Sequence, residues 1–260
     1  MILCIDVGNT NIKYGLFEGN ALKVSFRNAT QLNRTSDEYG TILLNMLAIK
    51  GISPAEIGGA IISSVVPVLN YTIQHMCAGY LGIEPLMVGA GLKTGHNLRV
   101  DDAREVGADR IANDVGAIRK YGAPLVVIDF GTATTFNVIN DAGEFIGGVV
   151  APGIRGSMDS LVSGTAKLPR VEIEPPKSVI GKNTTTNLQA GLVFGFAGLV
   201  DYIVKKIKRE MKRPDMPVVA TGGFSEIIAK EVSCIDHVDK LLTLQGLKYL
   251  YDLNTTEVRK

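Results

Sequence analysis

The sequence predicts an α/β protein made of two like halves. Ile2-Leu3-Cys4-Ile5 is a short apolar run that ends in Asp6, turns through Gly8-Asn9-Thr10-Asn11 and returns as Ile12-Lys13-Tyr14-Gly15-Leu16-Phe17. Leu125-Val126-Val127-Ile128 likewise ends in Asp129, turns through Gly131-Thr132-Ala133 and returns as Phe136-Asn137-Val138-Ile139. Each run has strand length and β-rich composition. A third segment, Pro217-Val218-Val219-Ala220-Thr221, is strand-like and breaks at Gly222-Gly223-Phe224.

The remaining elements follow in order. Ala21 to Asn28 reads as a third strand, and Ser36 as the cap of a helix running to about Lys50. Gly58 to Val66 is apolar and β-branched, a buried strand. Pro67 opens a helix to about Leu81, proline being suited to a first helical turn. Pro85 to Val88 is a short strand, and Gly89 to Asp102 a loop. Gly107 to Lys120 is helical, with the stripe Ala108, Ile111, Ala112, Val115 and Ile118. Asp109 and Asn113, four apart, are expected to meet the functional cleft together. The second half begins at Pro124, with strands over 125–129, 134–140 and 143–150 and a helix from about Ile154 to Thr165. Leu168 to Gly181 is a loop, and Thr184 to about Met211 the longest helix. A short helix follows Gly223, and Leu242 to Asp252 closes the chain. The expected division is 1–120 and 121–260.

Size and composition bound the function. A chain of 260 residues with 46% hydrophobic content can bury a substantial core. Its net charge is +1, and no long basic stripe points to nucleic acid. Lys205, Lys206, Lys208 and Arg209 read as a solvated helix end. Cys4, Cys77 and Cys234 have no Cys-x-x-Cys spacing, which fits a reducing compartment and core packing. The apolar stretch Ala190 to Val200 is too short to span a bilayer and is bounded by Gln189 and Asp201. A soluble cytoplasmic protein without nucleic-acid or membrane partners is expected. No Gly-x-x-x-x-Gly-Lys-Ser/Thr segment occurs, so a P-loop is not the phosphate site.

The acid-turn segments suit a Mg²⁺-bound polyphosphate. A carboxylate can hold Mg²⁺ directly or through water, and turn amides and hydroxyls can hold phosphate oxygens. The bland alternative is an ordinary hairpin turn, for which Asn, Gly and Thr are common residues. Two matched copies followed by Thr-Gly-Gly resemble actin, the sugar kinases and their relatives. The resemblance implies duplicated actin-like (ribonuclease H-like) domains with the nucleotide cleft between them.

The resemblance narrows on Glu105-Val106-Gly107-Ala108-Asp109-Arg110, Ile128 to Thr135, Gly148-Val149-Val150-Ala151-Pro152-Gly153 and Gly181-Lys182-Asn183-Thr184-Thr185. Together these are similar to the type III pantothenate kinases over nearly the whole chain. That resemblance implies ATP-dependent phosphorylation of pantothenate to 4′-phosphopantothenate, the first step of coenzyme A biosynthesis. Asp6 would hold Mg²⁺, and the stretch Val7, Gly8, Asn9, Thr10, Asn11, Ile12 and Lys13 would hold the ATP phosphates, with Thr132 contacting ATP from the second hairpin. Read from the residues alone, Lys13 is equally a solvent-facing strand lysine. Asp109 would be the catalytic base, whereas without the resemblance it reads as an acid satisfying the helix dipole. Gly107, Ala108 and Arg110 would line the pantothenate site, and Thr184 would contact substrate across a homodimer interface. The helix carrying Gly191-x-x-x-Gly195 begins there. Asp129 would help hold a monovalent cation, K⁺ or NH₄⁺, although chemistry alone does not separate this from a second Mg²⁺ ligand.

Val100 and Ala103 stand where relatives often have Tyr and Pro. That departure touches the rim of the substrate pocket and not the phosphate chemistry. Two alternatives follow from the same residues: a phosphotransferase with another small acceptor, and a non-catalytic nucleotide-binding regulatory relative.

Overall fold

A computed structural model describes residues 1–255. The described residues form two compact units: Met1–His96, Asp101–Gly116 and residues 242–255 in the first, Asn97–Val100 with Ala117–Leu241 in the second.

The first unit is built on β1 (Ile2–Val7), β2 (Asn11–Glu18), β3 (Ala21–Ala29), β4 (Gly59–Ser64) and β5 (Leu86–Met87), in the order β3-β2-β1-β4-β5. The first three are an antiparallel meander, and β4 and β5 add in parallel. Helices α1 (Ser36–Ile49) and α2 (Pro67–Leu81) make the crossovers. Alternation along the strands sets the faces. Leu3, Ile5, Val7, Ile12, Tyr14 and Leu16 pack with Leu43, Leu47, Leu69 and Ile73 of α1 and α2. Cys4, Asp6, Lys13 and Ser63 therefore fall on the opposite face.

Helix α1 is capped by Thr35 and not by Ser36. Thr35 Oγ1 accepts from the Glu38 N–H, and the Glu38 carboxylate accepts from the Thr35 N–H. The reciprocal pair needs an acid at the third helical position, which Glu38 supplies only when the cap is Thr35.

The second unit repeats the plan. β6 (Leu125–Phe130), β7 (Ala133–Ile139) and β8 (Phe145–Pro152) form the meander, and β9 (Val218–Gly222) and β10 (His237–Val238) add in parallel, in the order β10-β9-β6-β7-β8. β10 is too short to leave a sequence pattern. The crossovers are α4 (Ile154–Ser163) with α5 (Thr184–Glu210), and then α6 (Ser225–Ala229). Val126, Ile128, Phe136, Val218 and Ala220 pack on Leu192, Val193, Phe196 and Val200 of α5. Asp129, Thr135 and Thr221 lie on the other face.

At 27 residues, α5 is long and apolar enough to cross a membrane by length and composition, which the shorter stretch Ala190 to Val200 did not suggest. Its buried residues, Ala190, Leu192, Val193, Phe196, Ala197, Val200, Val204 and Ile207, recur at three- and four-residue steps. That is the signature of a helix with one face in a protein core. Gly191 and Gly195 lie on the exposed side.

Helix α3 (Ala108–Tyr121) begins in the first unit and ends in the second, and α7 (Leu242–Thr255) belongs to the first. Within that unit α7 crosses α3 at closest approach between Gly246 and the Ala112 carbonyl, where a Cβ on Gly246 would clash with backbone. A Cβ on Gly116, one turn along, would stand 2.7 Å from the Leu242 carbonyl and 3.2 Å from the Gly246 nitrogen. Gly246→Ala should therefore cost about 1–3 kcal/mol through overpacking, read as a lower urea midpoint with an unchanged slope.

Candidate active site

The first hairpin is shaped by its turn. The Gly8 N–H donates to the Asn11 carbonyl at 3.1 Å. From the end of β3, Thr30 fastens the same turn: its Oγ1 donates to the Gly8 carbonyl at 2.6 Å, and its N–H donates to the Thr10 carbonyl at 3.0 Å. Asn9 and Thr10 are left exposed, with Gly8 and Asn11 half-buried. Asp6 is the last inward polar residue before this turn, 5% exposed. Strand register sets Lys13 beside it, and Lys13 Nζ lies 3.3 Å from Asp6 Oδ2. Lys13 is thus a half-buried partner of the acid and not a plain solvent-facing lysine. Val7 and Ile12 are buried in the core, so only their backbones can meet a ligand.

Ser63 is a residue the sequence did not single out. It pairs with Asp6 across the parallel β1–β4 register. Its hydroxyl is fully buried and has no hydrogen-bond partner. Buried polar atoms are rarely left in that state, and the Ser63-Ser64 pair closing an otherwise apolar strand was the only signal in the sequence. An acid and an orphaned hydroxyl, both oxygen donors, suit a hard cation such as Mg²⁺. Among the described residues no cluster of three or more His, Cys, Asp or Glu could hold a metal by itself. That fits Mg²⁺, which takes one or two carboxylates and completes its shell with water and phosphate.

Asp109 lies at the same end of these strands. Val65 follows β4 and its N–H donates to the Val7 carbonyl. A Cβ on Gly107 would stand 3.4 Å from Val65 Cγ1 and 2.5 Å from Asp109 Oδ1. Glycine at 107 leaves the space over which the Asp109 carboxylate folds back, and a Cβ there would push that carboxylate aside. Asp109 Oδ1 accepts from the Arg110 N–H at 2.8 Å, a contact with the positive end of α3. Ala108 and Arg110 are half-buried. Burial pulls the Arg110 pKa below the ordinary guanidinium value, and the charges of Asp114 and then Asp109 oppose this. Asn113, expected to meet the cleft with Asp109, is instead covered by α7. It is 1% exposed, and its Oδ1 accepts from Thr243 Oγ1 of α7 at 2.7 Å. The i, i+4 spacing gave the correct helix face, but α7 already covers that position.

In the second unit, Asp129 sits between Thr135 of β7 and Thr221 of β9 in register. The Gly131 N–H closes the turn on the Ala133 carbonyl at 3.0 Å, the counterpart of Gly8. Two more glycines keep this corner open. Gly222 has φ +92°, and a Cβ there would come within 2.6 Å of Asp129 Oδ1 and of the Phe130 backbone. A Cβ on Gly153 would run into the Thr132 carbonyl. Asp129 and Thr132 thus share one tight, oxygen-rich turn. Thr184 opens α5 behind an Asn183 cap, exposed, and makes none of the contacts that hold that turn.

A family model described as "Type III pantothenate kinase" matches residues 2–206. The chain belongs to the type III pantothenate kinases. It is 48% identical over 254 residues to the type III pantothenate kinase of Bacillus cytotoxicus, covering 98% of this chain and 97% of that one. It is 48% identical over 255 residues to that of Moorella thermoacetica, covering 98% and 100%. A solved Sinorhizobium meliloti protein described as a 2-dehydro-3-deoxygalactonokinase superposes with a TM-score of 0.64 at 13% identity, over 97% of this chain and 96% of that chain. At that identity the likeness is one of fold, and it agrees with the duplicated actin-like architecture expected from the paired hairpins. Gly107→Ala should displace the Asp109 carboxylate and lower kcat about 10- to 100-fold, the scale of a misplacement near 1 Å, with KM for ATP within twofold of the parent.

Proposed function

We propose that this member of the family transfers the γ-phosphoryl group of ATP to the primary hydroxyl of pantothenate, giving 4′-phosphopantothenate and ADP at the first step of coenzyme A biosynthesis. The observation that carries the reading is the Asp109 carboxylate, folded over Gly107 at the end of β1 and β4, in a chain 48% identical to type III pantothenate kinases over nearly its whole length.

Phosphoryl transfer of this kind is largely positioning and charge neutralisation. Asp109 accepts the hydroxyl proton as the oxygen attacks phosphorus, and the terminal bridging oxygen leaves with ADP. Geometry supports this role, since the carboxylate is oriented by the Arg110 N–H and by the space at Gly107. Arg110 neutralises the carboxylate of pantothenate. Gly107 and Ala108 form the wall beside it. The backbone of Val7 to Ile12, with the side chains of Asn9, Thr10 and Asn11, takes the phosphate oxygens, and Lys13 supplies a positive charge next to them. Asp6, with Ser63 beside it, would hold Mg²⁺, which would supply charge neutralisation for the phosphates. Thr132 gives a further ATP contact. Asp129 would help hold K⁺ or NH₄⁺, a reading supported by the carbonyl-rich turn at Thr132 and Gly153. We further infer a cytoplasmic homodimer in which Thr184 reaches the partner's substrate; its exposure at the start of α5 supports that role.

The test is ATP consumption with pantothenate, Mg²⁺ and K⁺. Turnover should require pantothenate and be stimulated by K⁺ or NH₄⁺. Asp109→Asn should lower kcat by about 10²–10⁴-fold, the range for loss of a general base. Pantothenate-independent ATP consumption, or full activity in Asp109→Asn, would contradict the assignment.

A further inference from the structure

Helix α3 carries an acid that the proposed reaction leaves without a role. Arg110 and Asp114 are four residues apart, so their side chains lie on one face of the helix. Asp114 is fully buried. Across from it His96 Nε2 lies 3.3 Å from Asp114 Oδ2, and both side chains are 1% exposed or less. His96 is itself fixed by Thr94, whose Oγ1 accepts from the His96 N–H at 3.2 Å and donates to the His96 carbonyl at 2.9 Å. A carboxylate taken this far out of water is costly unless it is paired and hydrogen-bonded. Among its partners are the His96 ring and the half-buried Arg110, whose guanidinium feels the charges of both Asp114 and Asp109.

Arg110 therefore stands between two carboxylates with different prospects. Asp109 is half-buried at the substrate site, whereas Asp114 has no exposure through which to meet a ligand. A guanidinium is a planar fork that makes its best pair with one carboxylate at a time. If it closed on Asp109, it would neutralise the base that must take the hydroxyl proton.

We propose that Asp114, backed by His96, is a positioning residue that draws the Arg110 guanidinium away from Asp109 and aims it at the carboxylate of the acceptor. The inference rests on the function proposed above for Asp109 and Arg110. It deepens that reading by naming what keeps a base and a cation from cancelling each other when they are neighbours in sequence.

The experiment is a double-mutant cycle of Asp114→Asn and Arg110→Gln, with thermal melts as the control for folding. Asp114→Asn should lower kcat/KM for pantothenate at least about tenfold, the scale of a misaligned substrate group, and leave KM for ATP within twofold. In the Arg110→Gln background the same change should cost less than about threefold, because the residue it acts through is gone. Equal losses in the two backgrounds, or an equal rise in KM for ATP, would overturn the proposal. If Asp114→Asn does not fold, His96→Leu takes its place in the cycle: its effect on pantothenate kinetics must disappear in Arg110→Gln, and an undiminished effect overturns the proposal. A readout independent of the acceptor separates this inference from the functional one. The Arg110 Nε–H resonance, assigned by its loss in Arg110→Gln, should shift in folded Asp114→Asn or, failing that variant, in His96→Leu. An unmoved resonance sinks the positioning role even if pantothenate is phosphorylated. A shifted one upholds it even if the acceptor proves to be a different alcohol.

Discussion

The structure depends on placing a carboxylate at the end of a buried strand without closing the space around it. Asp6 and Asp129 each end the inner strand of a five-stranded sheet, on the face away from the main helical layer of their unit. Burying an acid there is unfavourable unless it is paired or bonded. Asp6 is paired with Lys13 across the antiparallel register, while Ser63, its neighbour in the parallel register, keeps an unbonded hydroxyl. Asp129 has threonines on both sides. The turn after each acid then has to bend away at once. Gly8 and Gly131 do this with matching N–H to carbonyl closures. Gly107 and Gly222 clear the volume that the Asp109 and Asp129 carboxylates occupy.

The same geometry ties function to packing. In the first unit α7 lies on the sheet face that carries Asp6. Leu244 meets Gly15, Tyr251 meets Gly59, and Lys248 pairs with Asp252 near Cys4. Desolvation there raises the Cys4 thiol pKa well above its ordinary value, so Cys4 is an inert core residue. The Gly246–Ala112 crossing fixes where α3 runs, and hence where Asp109 and Arg110 stand. Thr243, bonded to Asn113, locks that crossing in rotation.

Much of this was legible in the sequence because the signals are local. The two acid-turn hairpins, the Pro67 helix start, the long α5 and the Thr-Gly-Gly break are set by strand alternation, proline and glycine chemistry and helical period. What escaped depends on contacts between distant segments. Ser36 was read as the cap because one residue suffices for a cap, whereas the reciprocal bond with Glu38 selects Thr35. Asn113 is expected from spacing to meet the cleft with Asp109, because i, i+4 spacing gives a face but not what covers it. Ser63 and Asp114 carry no motif. Ser63 matters through the register of β4 against β1, and Asp114 through a histidine eighteen residues away in a loop.

In the proposed reaction the strand-end carboxylate of Asp6 acts on the metal-bound form of the nucleotide. Calorimetric titration of ATP into the parent and Asp6→Asn, each with and without Mg²⁺, tests it most directly. The account predicts that Mg²⁺ strengthens ATP binding to the parent and does so far less in Asp6→Asn, while the two proteins bind metal-free ATP alike. An equal Mg²⁺ enhancement in both proteins would contradict it.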